Sequence, residues 1–146
     1  MNGIYTAVSA LFFLSSIFAV VKFKRQKAEP EFKSSVSAVV AYGVVFSAFL
    51  FGVRIPYYTL YLTLAALAAH IFIGFSLGAY DKSRIFDRYL HGYSTFSFSL
   101  LFYFIIGNFV AYGGERLFRA LFILTLGISL GAVYEVIEFV SDSRND

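Results

Sequence analysis

Cysteine is absent from all 146 residues, which removes disulfides, thiolate metal sites and cysteine nucleophiles together. Histidine is nearly as scarce: His70 and His91 are the only two, too few for a histidine-rich zinc site. Charge is the third shortage. Only 14% of the residues are charged and 59% are hydrophobic, with mean hydropathy +0.73, whereas a soluble domain carries about 25% charged residues. Such a chain is built for lipid rather than water. Also missing are a Gly-x-Ser-x-Gly elbow, a phosphate-binding loop, a dinucleotide fingerprint and internal repeats. The net charge of +3 does not read as a nucleic-acid surface, because the lysines and arginines sit beside apolar segments, as in membrane topology.

What is present is an all-α pattern: a polytopic bundle of five transmembrane helices forming a single domain over residues 1–146. The expected spans are about 3–21, 35–52, 57–79, 89–112 and 117–140. The first has no basic residue at its leading end and is followed by Lys22, Lys24, Arg25 and Lys27, so it reads as a retained anchor rather than a signal peptide. The stretch from Lys22 to Lys33 is the most hydrophilic loop. In the second span Ala48-x-x-x-Gly52 offers a small-residue packing face, and Arg54 and Pro56 mark the next turn. Along the third, Thr63, Ala66, His70, Gly74 and Asp81 share one side. Lysine and arginine then fix the orientation. One side holds nine (Lys22, Lys24, Arg25, Lys27, Lys33, Lys82, Arg84, Arg88, Arg144) and the other three (Arg54, Arg116, Arg119). The richer side is expected to be cytoplasmic, with the N-terminus outside and the C-terminus inside a multi-pass cell-membrane protein.

Two acidic motifs break the apolar pattern. Glu135, Glu138 and Asp142 follow one another at i, i+3 and i+7 in the last span, within about 60° on a helical wheel. Gly127 and Gly131 extend that stripe deeper, inviting antiparallel packing against the fourth helix. The fourth helix enters with Asp87-x-x-x-His91, one face at i, i+4, which Ser94 continues. The topology brings Asp87, His91, Glu135, Glu138 and Asp142 to similar depths from helices running in opposite directions.

Each motif has a plainer explanation. Asp87 is equally well read as a helix N-cap. The glutamates oppose the macrodipole at a helix C-terminus, so capping does not account for them, but an ion pair with Lys82, Arg84 or Arg88 does. Two carboxylates one turn apart in low dielectric do not both ionise cheaply. One takes up a proton, or both hold a cation. Carboxylates with one or two imidazoles suit Mg²⁺, Mn²⁺ or iron better than soft metals. The expected metal set is Asp87, His91, Glu135, Glu138 and Asp142, with His70 a secondary candidate two turns deeper. Glu135, His91 and Asp87 are the expected catalytic groups. The 30 Phe and Tyr residues read as lipid-facing bulk and interfacial belts rather than a cofactor box.

Phe86-Asp-Arg-Tyr-Leu-His91-Gly entering one helix, with Gly131-Ala-Val-Tyr-Glu-Val-Ile-Glu-Phe-Val-Ser-Asp142 ending a later one, resembles the YjdF-like integral membrane proteins. More distantly the pairing is similar to the VanZ-like proteins, which are tied to glycopeptide resistance and the cell envelope. The resemblance covers residues 80–142 and implies lipid or envelope chemistry.

Three functions follow as expectations. The first is a divalent-metal site acting on a lipid or lipid-linked head group near the cytoplasmic face. The second is a proton- or cation-coupled carrier. The third is a non-catalytic accessory subunit whose acids lock helix packing. Membrane lipids are the expected partners, a second copy or another membrane protein stays open, and nucleic acid is not expected.

Overall fold

The computed structural model describes residues 3–110 and 115–142 and, at positions 134, 135 and 137–142, the helical backbone alone. Among the described residues there are helices and no strands. In order they are α1 (Gly3–Gln26), α2 (Glu29–Leu50), α3 (Tyr57–Ala68) widening into a π-helix (Ala69–Ser76), α4 (Ala79–Lys82), α5 (Arg84–Ile106) and α6 (Arg116–Asp142).

Among the described residues, four stretches are long and apolar enough to cross a membrane: α1, α2, α3 with its π-helical continuation, and α6 as far as Val133. Five were expected. The 23-residue α5 has the length, but Arg84, Asp87, Arg88 and the polar run from His91 to Ser99 dilute its hydropathy.

Several helices outrun the expected spans for local reasons. α1 continues through its basic cluster, since Lys and Arg are good helix formers whose long stems carry the charge toward water. α2 begins at Glu29 because Pro30 falls in the first turn, where a missing N–H costs nothing. The expected hydrophilic loop at 22–33 therefore shrinks to Lys27-Ala28. Lys27 takes a left-handed conformation (φ 56°), and the Ala28 N–H reaches back to the Phe23 carbonyl at 3.1 Å, closing α1 with a Schellman turn. At the far end of α2, Gly52 (φ 94°) makes the corresponding turn. This corrects the expected Ala48/Gly52 packing face. Gly52 lies past the helix, and a Cβ there would meet nothing within 4 Å.

α1 and α2 form a hairpin packed on α3. Its centre is polar within an apolar shell. Tyr42 donates to the Tyr5 hydroxyl at 3.0 Å, so Ser9, 2.7 Å from Tyr42, must donate to it in turn. All three are fully buried. With no water at hand these hydroxyls satisfy one another, which fixes the register of the two helices. Phe49 and Tyr61 meet the Tyr5 ring edge-on at 5.3 and 5.6 Å.

On the other side of α3 lies the α5–α6 hairpin. Gly127 is buried against α5, and a Cβ built on it would stand 2.8 Å from Ser99 Oγ. A Cβ at Gly131 would lie 4.0 Å from Thr95 Cγ2. The two glycines do face the fourth expected helix, Gly127 closely and Gly131 more loosely. Pairing 99 with 127 and 95 with 131 makes the hairpin antiparallel. No Cα of α2 comes within 8 Å of one in α5, so α3 floors a gap between them.

Candidate functional site

The end of α1, the start of α2, the end of the π-helix and the start of α5 gather at one end of the bundle. With them come Lys22, Lys24, Arg25, Lys27, Lys33, Lys82, Arg84 and Arg88. A cleft of about 390 Å³ opens there. One wall is a small-residue face of α2, Ser34, Ser37, Ala38 and Ala41. The floor is Ala66, Leu67 and His70. The opposite wall is α5 from Asp87 through His91, Ser94 and Thr95 to Phe98 and Phe102, with Leu130 of α6 behind it. Tyr80 closes the basic end. The lining is thus polar toward that end and apolar toward the middle of the bundle.

His70 is held from two sides. Its Nε2 lies 2.8 Å from Ser34 Oγ and its Nδ1 2.5 Å from Tyr80 Oη. The π-helix makes the second contact possible. Its wider turn links the Leu77 N–H to the Phe72 carbonyl at 3.0 Å and Ser76 Oγ to the Ile71 carbonyl at 3.1 Å, both five residues back. Gly78 (φ 67°) then reverses the chain, and the Tyr80 ring folds back over Gly74. No side chain fits at Gly74, because the Tyr80 ring occupies the place of its Cβ. Phe75 meets His70 edge-on at 4.7 Å and lies tilted against Tyr80 at 5.2 Å. Thr63, Ala66 and Gly74 are buried on the expected side of the third helix. Asp81, expected to share that side, lies beyond the Gly78 reversal and is exposed.

Asp87 does not cap its helix. The cap is Ser83, whose Oγ accepts from the Phe86 N–H at 3.2 Å, and α5 begins at Arg84 rather than near 89. Asp87 therefore stands within the first turn, exposed on the cleft side, where the macrodipole favours a carboxylate. It lines the same cleft as His70. His91, one turn on, is partly buried in the same wall.

The structure thus brings Asp87, His91 and His70 around one cleft. Among the described residues no three His, Asp or Glu side chains are grouped as ligands of one metal ion. With both ring nitrogens engaged, His70 offers no lone pair to a metal in this arrangement. The side chains of Glu135, Glu138 and Asp142, three of the five expected metal ligands, lie outside the described residues; α6 carries their backbone in helical register through Asp142. Sequence reasoning missed Ser34 and Tyr80. A hydroxyl run at Ser34-Ser35-x-Ser37 and a tyrosine two residues after a glycine were the only signals, and neither points at His70 without the π-helical turn.

No curated protein and no solved structure matches the chain. Residues 4–144 match a family described as "Predicted membrane protein (DUF2238)", which includes the YjdF-like proteins. A match over nearly the whole chain, on a helical architecture with several membrane-length apolar helices, makes this protein a member of that membrane-protein family.

Proposed function

We propose that the protein crosses the cell membrane five times, α5 being the span that its polar lining conceals, and that the cleft receives a lipid or lipid-linked head group at the cytoplasmic face. In this reading Asp87 and His91, with Glu135, Glu138 and Asp142 of α6, hold a divalent cation. The observation that carries the proposal is the cleft itself, where Asp87, His91, His70, Tyr80 and Ser34 meet from α2, the π-helix, α4 and α5.

Two further observations support it. Stepping the antiparallel register from 99/127 and 95/131 by one more turn gives 91/135, level with His91. The cleft also opens at the end holding eight of the eleven described lysines and arginines, the end expected in the cytoplasm. A cation there would polarise a phosphoryl or carbonyl oxygen or activate water. Glu135 would bridge the cation or carry a proton, and Asp142 would act from outside. Ser34 and Tyr80 hold the His70 ring in place, so His70 positions rather than ligates. The sequence likeness to VanZ-like proteins points toward the same envelope chemistry. A carrier needs a polar path to both faces, and the cleft lining ends at Ala41, Phe98 and Phe102.

The test is elemental analysis of the purified protein beside Glu135→Ala and His91→Ala, each with and without added Mn²⁺. Near-stoichiometric metal in the wild type, lost in both variants, is expected. Metal-free wild type under both conditions, with two less stable variants, would replace the site by an ion-paired packing network and leave an accessory subunit.

A further inference from the structure

The apolar part of the cleft has no role in holding a cation, yet it is larger than the polar part. From Ser94 to Phe102 it follows α5 for eight residues, about 12 Å. Along α2 it runs from Ser37 to Ala41, about 6 Å. It exists because α2 presents Ser34, Ser37, Ala38 and Ala41 where larger side chains would close the gap to α5. Ser37, Ala41 and Phe102 are exposed on its edges, so the slot opens sideways, toward the lipid around the bundle.

We infer that this slot takes one hydrocarbon chain of a phospholipid, entering laterally between α2 and α5, with the phosphate at the basic end. The inference rests on reading the cleft as a lipid site and adds how the lipid is selected. Polarity fixes which end goes where: hydroxyl and imidazole groups of Ser34, Tyr80 and His91 line the basic end, and Phe98, Phe102 and Leu130 the inner end. Charge fixes the head group. Among the described residues this end carries eight lysines and arginines, of which Lys33, Lys82, Arg84 and Arg88 are exposed at the mouth, against the four acids Glu29, Glu31, Asp81 and Asp87. The volume, about 390 Å³, is at the small end of ligand pockets and suits a single chain rather than two. Ala41 is the selecting residue. It stands at the inner end of the α2 wall, where a larger side chain would shorten the slot.

The experiment uses the full chain in vesicles containing phosphatidic acid with a photoactivatable group at the end of one acyl chain, and in parallel the matching phosphatidylcholine. Cross-links are mapped by peptide. They should concentrate on residues 37–41 and 98–102 and be stronger with phosphatidic acid. Ala41→Phe, which costs the chain the burial of about two methylenes, should cut the yield about tenfold. Val40→Phe is the control: Val40 is 59% exposed on α2 and does not line the slot. It should leave the yield unchanged. Cross-links spread evenly over the exposed helix faces, or equal losses in both phenylalanine variants, would overturn the inference. The metal reading fails separately. In His91→Ala and Glu135→Ala, acyl cross-links at wild-type positions without any metal in the wild type would retain the slot and remove the cation.

Discussion

A methyl group added at Gly74 would fall within the Tyr80 ring, with Tyr80 Cδ2 and Cζ both 2.8 Å from the new carbon. Real Cβ atoms are not found so close, so Gly74→Ala must push the ring away from His70. Three effects compete. Alanine is the better helix residue by about 0.5–1 kcal/mol. Overpacking costs about 1–3 kcal/mol. Losing the Tyr80–His70 hydrogen bond and stranding a partly buried ring nitrogen costs about 1–3 kcal/mol more. The unfavourable effects win, and the net loss is about 1–5 kcal/mol. Without tryptophan or cysteine, the convenient probe is far-ultraviolet circular dichroism of the detergent-purified protein during heating. Tyr80→Ala removes the obstacle, so the same Gly74→Ala change made in that background should cost at least about 1 kcal/mol less. Equal costs in the two backgrounds would refute the reasoning. They would mean that the glycine answers to the π-helical turn alone.

Tyr42→Phe strands the Ser9 and Tyr5 hydroxyls in an apolar shell and should destabilise by about 1–3 kcal/mol in the same melt. The Tyr5→Phe/Tyr42→Phe pair should cost less than the sum of its parts. Ser83→Ala removes the observed cap of α5 and should cost about 0.5–2 kcal/mol, whereas Asp87→Asn loses only a dipole contribution of about 0.3–1 kcal/mol. The reverse order in thermal unfolding would return Asp87 to a capping role. Because the chain has no cysteine, introduced pairs report cleanly. Thr95→Cys/Gly131→Cys should cross-link on mild oxidation, and His91→Cys/Glu135→Cys should follow if the register continues one turn. Failure of the second pair beside success of the first would separate Glu135 from the cleft.

How legible this was depends on whether a feature is local. The antiparallel α5–α6 hairpin could be read because glycines four residues apart leave a stripe with no side chains, and such a stripe is a property of one helix. The gathering of Asp87 and His91 near the basic end was legible for the same reason, through topology and charge counting. The helix ends were misjudged where charge was read as loop. Lys22–Gln26 and Glu29–Lys33 are helical because propensity and a first-turn proline outweigh hydropathy there. The hold on His70 was illegible. It depends on a π-helical turn that lets Tyr80 fold back over Gly74, a contact between residues that no periodicity relates. The slot was hidden because the small residues on α2 matter only when α5 is known to stand away from them.

That separation has a mechanical side. Among the described residues the α1–α2 hairpin packs on α3 and its π-helical continuation. α5 packs on the same helix from the other side, and α6 packs on α5 alone. The two hairpins thus share a keel and are otherwise independent at the level of backbone packing. A tilt of the α5–α6 pair about α3 would change the distance between Ala41 and Phe102 while leaving the Tyr5–Tyr42–Ser9 chain untouched. The width of the slot is then a soft coordinate of a bundle made from stiff parts. The lateral pressure of the bilayer bears directly on α6, whose Leu117, Leu121, Leu124 and Ile128 face outward, and so works against the same coordinate that an incoming acyl chain must open.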